Sequence, residues 1–415
     1  MLNTGDTAFM IICTAFVFFM TPGLAFFYGG LVRRKNVIST MMNCVAIMGI
    51  SIIMWVAFGF SLSFGTDHAG IIGGLEWLFL NGVGWDPGVY SDTIPALLFC
   101  AFQMMFAMIT PALFTGSLVG RVRFKALMPF VIIWTILVYY PLVHMIWGQN
   151  GLLASIGAVD FAGGYAVHIG AGVSAFVLAI LLGRRYGYGN DALYKTHNVP
   201  FVALGAFMLW FGWFGFNAGS SLKADGLAVH AFMTSAISAG TALVVWMILD
   251  AVKYGKTTLV GASTGLVVGL ASVTQSCGFI PLWAAFVIGG LASPICYFAV
   301  ILIKNKLKID DTLDAFGCHG VGGIWGCIAT GLFAQSSINS TAQWDGLVFG
   351  DVRLFGAQML GMLITIAVAV VGTLVAYYIV KAFVPFRADQ REERLGMDMT
   401  QHGERAYPSF NGMDS

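Results

Sequence analysis

The sequence predicts an all-α integral membrane protein, and three observations predict it. Of 415 residues, 58% are hydrophobic and 10% charged, against about 25% charged in a soluble globular domain. Mean hydropathy is +0.83. The apolar residues fall into runs of the roughly 20 residues that a bilayer crossing requires, and the basic residues gather in every second connection between them. The net charge of +1 says nothing about partners, and no nucleic-acid partner is expected.

Eleven spans fit, at about 7–32, 37–64, 94–119, 127–147, 158–183, 200–219, 227–252, 258–276, 280–303, 314–334 and 354–380. The first has no basic segment before it and is too long for a signal-peptide core, so it reads as a retained span. Runs of this length also exclude a transmembrane barrel, whose strands have about ten residues. The 52 glycines suit helices packed backbone to backbone. The seven cysteines show no C-x-x-C pair or metal spacing and read as small buried apolar residues.

Lys and Arg set the orientation. With Arg33, Arg34 and Lys35 placed in the cytoplasm, 19 of the 21 basic residues fall on that side, and only Lys223 and Arg353 do not. The N-terminus is then outside and the C-terminus inside. The long outer connection 65–93 carries Asp67, Glu76, Asp86 and Asp92 and no basic residue. Residues 1–380 read as the transmembrane domain and 381–415 as a cytoplasmic tail.

Spans 1–5 (about 7–183) and 6–10 (about 200–334) each make an odd number of crossings, so matching spans run in opposite directions. This is a 5+5 inverted repeat with span 11 (about 354–380) as a final outer helix, and its site is expected near the midplane between the halves. One stretch of span 5, D-F-A-G-G-Y-A-V-H-I, places Asp160 eight residues before His168. Span 10 repeats the interval with Asp311 and His319. Ionisable groups in apolar spans are costly and usually face a cavity or a partner. At about 1.5 Å per residue His168 lies about 15 Å deep in a core of about 30 Å. His319 approaches from the other face, and glycines at 163, 164, 170, 172, 317, 320, 322 and 323 let the two helices close up. Either each His is satisfied separately by a carbonyl, or the two meet. Asp160 either caps its helix and orients nearby groups or holds a cation directly. Asp311 likewise begins its helix.

Phe102 and Phe106 share one face of span 3. Trp147 ends span 4, and Trp213, Phe214 and Phe216 crowd the outer end of span 6 ahead of Ser220. Phe26, Phe27 and Tyr28 lie toward the inner end of span 1. These aromatics are either interface packing or a cation–π cage to which Ser220 adds an acceptor.

The segments F-F-Y-G-G-L-V-R-R-K-N (26–36), H-M-I-W-G (144–148), D-F-A-G-G-Y-A-V-H-I (160–169), W-F-G-F-N-A-G-S (213–220) and F-G-C-H-G-V-G-G-I-W-G (316–326) resemble the ammonium transporter family, Amt with its Mep and Rh relatives. The resemblance runs over nearly the whole chain and is greatest to the bacterial and archaeal Amt branch. It implies a homotrimer of eleven-helix subunits in the plasma membrane, each with its own pore. It implies an external site for ammonium (methylammonium is a further candidate) at Phe106, Trp147 and Ser220. It also implies a phenyl gate at Phe106 and Phe216 with Phe102 beside it, a pore pair His168 and His319 that relays the proton, and Asp160 as the supporting carboxylate. The tail segment G-M-D-M-T-Q-H-G-E-R-A-Y (396–407) resembles the family's regulatory tail. That implies contacts through Gly396, Asp398, His402, Gly403, Glu404 and Tyr407, with a PII-type signalling protein as partner, whereas a charged tail without that role is a solvated end. Met104, Met105 and Cys318 depart from the pattern of a better-known bacterial relative.

The expected activity is uptake in which ammonium is recruited and deprotonated and ammonia crosses an apolar pore. The proton is relayed by two neutral imidazoles sharing a hydrogen bond. Potassium cannot shed a proton and is excluded. The alternative is an ammonium sensor signalling through its tail to the PII-type partner. No enzyme, metal or cofactor is expected: Walker, zinc and nucleophile-elbow motifs are absent.

Overall fold

The computed structural model describes residues 1–189 and 195–407; the end of the expected tail, 408–415, lies outside the described residues. The main helices, in chain order, are α1 (Thr4–Leu31), α2 (Arg34–Phe64), α3 (Ala96–Ser117), α4 (Phe124–Ser155), α5 (Gly164–Leu182), α6 (Val199–Gly219), α7 (Gly226–Tyr254), α8 (Leu259–Val273), α9 (Leu282–Lys306), α10 (Phe316–Phe333) and α11 (Val352–Phe383). Among the described residues ten of these are long and apolar enough to cross a membrane, and α8 is the shorter one. Their starts follow from local sequence. Asn3, Asn198, Asp225, Thr258 and Asp351 each cap a helix by accepting a backbone N–H within its first turn. Phe211, Val252 and Leu363 are exposed on the helix surfaces, as suits a lipid-facing exterior.

The structure departs from the expected spans in three places. The span expected at 258–276 is helical only over the 15 residues of α8, about 22 Å at 1.5 Å per residue. Beyond it the chain turns to serve its neighbours: Thr274 Oγ1 accepts from Trp213 Nε1 at 2.8 Å and the Gln275 carbonyl accepts from Phe161 N at 3.0 Å. The span expected from 158 becomes helical only at Gly164, because the Asp160 carboxylate takes the backbone N–H groups of Gly163, Gly164 and Tyr165. The connection 65–93 contains two short antiparallel ladders, β1 (Asp67–His68) with β2 (Ile72–Gly73) and β3 (Pro87–Gly88) with β4 (Ser91–Pro95).

Helix packing repeats itself across the two halves. α1 packs on α2 and α3, and α6 packs on α7 and α8; α3 meets α5 as α8 meets α10. The halves join where α1 lies along α6 and α5 along α10, while α11 covers α4, α5 and α10 from outside. A Cβ on Gly172 would collide with the backbone of Gly320, so α5 and α10 reach their separation only with glycine at the crossing.

The tail is docked, not solvated. α12 (Gln390–Leu395) opens with a capping box between Asp389 and Glu392. Arg123 holds Glu392 at 2.7 Å, and buried Glu393 accepts from Arg387 and, at 2.7 Å, from Tyr186 N. This end of the molecule, with the 33–36, 118–123 and 184–189 connections, is the basic face; the 65–95 connection and residues 148–163 form the far face.

Candidate functional site

The far face opens into a cavity of about 510 Å³ lined by Gln103, Phe106, Trp147, Asp160, Phe161 and Ser220. Trp147, Asp160, Phe161 and Ser220 sit at helix ends or breaks, while Gln103 and Phe106 come from within α3. Trp147 closes the continuous part of α4 and donates Nε1–H to the Asp160 carbonyl at 2.8 Å, which fixes its ring edge-on to Phe106 at 6.1 Å and 88°. Ser220, at the end of α6, donates its hydroxyl to the Phe216 carbonyl at 2.8 Å and keeps its oxygen lone pairs as acceptors.

Phe106 and Phe216 form the cavity floor, stacked at 4.0 Å and 24°. Phe102 is not part of that stack: it meets Phe106 edge-on at 5.0 Å and packs on Gly219, so it backs the floor. Phe214 faces away and stacks on Phe232 at 4.1 Å.

Directly beneath lies a cavity of about 10 Å³ lined by Leu24, Leu113, His168, Trp213, Phe216 and His319, about the room one water-sized molecule needs. His168 and His319 do meet, with rings 5.3 Å apart and 11° from parallel. The hydrogen bond expected between them is not made: both ring nitrogens of His168 and Nδ1 of His319 have no partner, although both side chains are buried. Buried polar atoms in native proteins are nearly always satisfied, so unpartnered nitrogens aimed at a slot mark a place for a polar guest. The separate-carbonyl reading of the two His is thereby set aside.

Both carboxylates act as caps. Asp160 Oδ1 accepts from Gly163 N and Gly164 N, and Oδ2 accepts from Tyr165 N, at 2.7–2.8 Å. Asp311 accepts from Ala315, Phe316 and Gly317 N at 2.9–3.1 Å, and from the Ser117 hydroxyl. Each cap launches a widened π-type turn that carries the His, Gly164–Ile169 and Phe316–Gly320.

On the basic face a second cavity, about 410 Å³, is lined by Phe27, Leu31, Asp314 and Cys318 among others. It places Cys318, next to His319 in sequence, on the basic-face side; all seven cysteines are free and buried. Phe26 instead packs on Phe201, and Tyr28 donates to the Leu113 carbonyl at 2.9 Å. Met105 is buried and Met104 half-buried on α3.

The tail residues do come together with the basic-face loops. Asp398 accepts from Ser39 N at 2.8 Å, and burial raises its carboxyl above the usual range. Gly396 (φ 104°) lies against the Lys35 backbone with no room for a Cβ. His402 packs edge-on to Phe124 at 5.0 Å, and burial pushes its imidazole below the ordinary value. Gly403 (φ 69°) ends that turn, exposed Glu404 donates its N–H back to the Asp398 carbonyl at 3.3 Å, and the Tyr407 hydroxyl meets His197 Nε2 at 3.0 Å.

Sequence reasoning missed the place of Trp213 at the slot and of Gln103 in the cavity wall. Trp213, expected among the outer aromatics, stacks on His168 at 5.6 Å and 26°. Gln103 shares the cavity wall with Phe106, one helical turn away. The i, i+3 relation of Gln103 to Phe106 is the signal that was available for it.

Residues 8–407 match the model of the Ammonium Transporter Family. The chain belongs to that family. It is 45% identical over 98% of its length to the "Ammonium transporter" of Bacillus subtilis (strain 168), covering 99% of that protein. Among solved structures, Candida albicans Mep2 superposes with TM-score 0.87 at 32% identity, over 98% of this chain and 90% of that one. A structure titled "Sensor Amt Protein" superposes with TM-score 0.87 at 28% identity, over 96% of this chain and 98% of that one. The helices, cavities and His pair described above are therefore those of an ammonium transporter family member, a multi-pass membrane protein.

Proposed function

We propose that the chain takes up ammonium across the plasma membrane by splitting it into ammonia and a proton at the Phe106–Phe216 floor. The single observation that carries this is the pair of stacked imidazoles with unpartnered nitrogens, in a one-molecule slot beneath an aromatic cavity. In this reading α8 completes eleven spans, the repeated helix pairings belong to an inverted repeat, the far face is outside and the basic face cytoplasmic.

Ammonium is a cation with four N–H donors. The Phe106 and Trp147 rings attract it through their π faces without a fixed negative charge, and the Ser220 oxygen accepts one of its N–H groups. The Phe106–Phe216 stack stops a hydrated ion, and carrying a bare charge past it is expensive. Ammonia pays no such charge penalty and fits the slot once the phenyl rings part. His168 and His319 offer it acceptors and donors, and because imidazole holds a proton at either nitrogen, the pair also relays the proton. Asp160 keeps its backbone cap and positions the His168 turn and Trp147. Potassium has no proton to give up and stays in the cavity. Methylammonium retains N–H donors and competes for the same site. Three such subunits form the working trimer, and the docked tail is where a PII-type protein would act.

The test is current in reconstituted vesicles with no other protein present. A current driven by ammonium and absent with potassium is expected; no ammonium current or flux contradicts the proposal. The likeness to the structure titled as a sensor favours a second reading, in which ammonium binding is reported through the tail. That reading gains if the purified protein binds ammonium without moving it and a PII-type partner responds.

A further inference from the structure

His144 belongs to the H-M-I-W-G stretch, yet nothing in the transport path uses it. It is fully buried one turn before Trp147 on α4. Its Nδ1 lies 3.1 Å from the Ser63 carbonyl oxygen, and its Nε2 lies 2.9 Å from Asp67 Oδ1. Both partners are oxygens, and a carbonyl only accepts, as does an ionised carboxylate. A neutral imidazole has one N–H and one lone pair, and it would turn that lone pair on one of these oxygens at contact distance. Only a ring with hydrogen on both nitrogens satisfies both contacts. Asp67 is built to stay ionised: Oδ1 also accepts from Gly70 N at 2.7 Å, and the His144 hydrogen bond holds its carboxyl below the usual carboxylate range. His68, next to Asp67 on the strap, also favours the ionised carboxylate, and Glu76, further along the 65–93 connection, is occupied with Thr66 N.

The strap that bears Asp67 crosses the end of α4. Leu152 N donates to the Gly70 carbonyl at 2.8 Å, and Gly148 N donates to the His144 carbonyl at 2.9 Å. The turn that carries Trp147 is thus held from both sides.

We propose that His144 is a buried imidazolium, paired with Asp67, that clips the 65–73 strap to α4 and so positions Trp147 at the cation site. The functional half rests on the reading of Trp147 as a recruiting residue; the charge state does not. His144 is a positioning residue, since it touches no part of the cavity.

The test has a spectroscopic arm and a transport arm. In ¹⁵N-histidine NMR of the protein in bilayers at pH 7, with the signal assigned by His144→Gln, both His144 nitrogens should carry hydrogen. In Asp67→Asn, a near-isosteric change, the ring should become neutral with one bare nitrogen, which the asparagine amide can satisfy. A bare nitrogen on His144 in the unsubstituted protein overturns the proposal outright. In vesicles, Asp67→Asn should raise the half-saturating ammonium concentration at least about tenfold with maximal flux kept, the lower end of the scale of one charge-assisted hydrogen bond. Trp147→Ala should raise it at least as much. If Trp147→Ala raises it and Asp67→Asn does not, positioning by the clip is wrong; if Trp147→Ala leaves it unchanged, the recruitment reading fails while the NMR result still decides the charge state.

Discussion

The stretches 160–169 and 311–320 are the same device folded twice, and they differ in what surrounds them. In both, an Asp caps a widened turn and a His follows eight residues later. In both, the third residue after the Asp has positive φ, Gly163 at 124° and Asp314 at 59°. The first stretch borders the cavity of about 510 Å³, and Asp160 binds backbone N–H groups alone. The second is locked into polar packing: Asp311 also holds the Ser117 hydroxyl, and next to it fully buried Arg121 pairs with Asp310 at 2.8 Å. The comparison teaches a division of labour. The 160–169 copy is capped by backbone alone beside the far-face cavity, and the 311–320 copy, beside the basic-face cavity, also ties the end of α3 and the 118–123 connection to the second half.

The largest effect should come from breaking the anchored copy. Asp311→Ala orphans three buried backbone donors and the buried Ser117 hydroxyl. Each buried loss costs about 1–3 kcal/mol, so folded protein recovered from membranes should fall severely. Asp160→Ala orphans as many backbone donors, but cavity water can replace the carboxylate, so melting should drop less while ammonium flux falls at least tenfold. Comparable loss of folded protein in the two variants would refute the division of labour.

A sharper probe is the positive-φ position. A side chain at Gly163 is strained and would meet Val167. Gly163→Ala should therefore cost about 1–2 kcal/mol in denaturation and lower flux. Asp314→Ala exchanges one strained non-glycine residue for another and loses an ion pair to Lys304 at 2.7 Å. Its cost should be nearer 1 kcal/mol, read from the same melting curves.

Much of this was legible in the sequence. The eight-residue interval and the odd number of spans per half bring His168 to His319, whereas Phe106, Phe216 and Trp147 are named by the family resemblance, their spacing alone leaving interface packing open. What was not legible depends on contacts distant in sequence. The early stop of α8 reflects Trp213 reaching Thr274 across 61 residues. The turn of Trp213 onto His168 depends on how α6 rotates against α5. The docking of Glu393 and Asp398 depends on loops more than 200 residues away. Hydropathy sees none of these, since it measures whether a residue leaves water and not what it then touches.

The smallest expected effect is in the tail, which touches only the anchored end. Docking keeps the His402 imidazole below its ordinary value, so the undocked tail binds the proton more readily. Docking should be fully stable above the ordinary value of about 6.5 and weaken as pH falls below it. Hydrogen exchange over 396–403 should quicken modestly from pH 7.5 to 5.5, and His402→Leu should flatten that change. Asp398, raised by burial, acts in the opposite sense, since its own protonation favours the docked form. Exchange around 160–169 should not respond.

The central claim is that the His168–His319 pair makes the pore choose a cargo that can shed its proton. The direct measurement is current in vesicles carrying the His168→Ala/His319→Ala double variant, under matched ammonium and potassium gradients. The account predicts that the double variant either passes potassium beside ammonium or loses ammonium current altogether. Full ammonium current with potassium still excluded would contradict it.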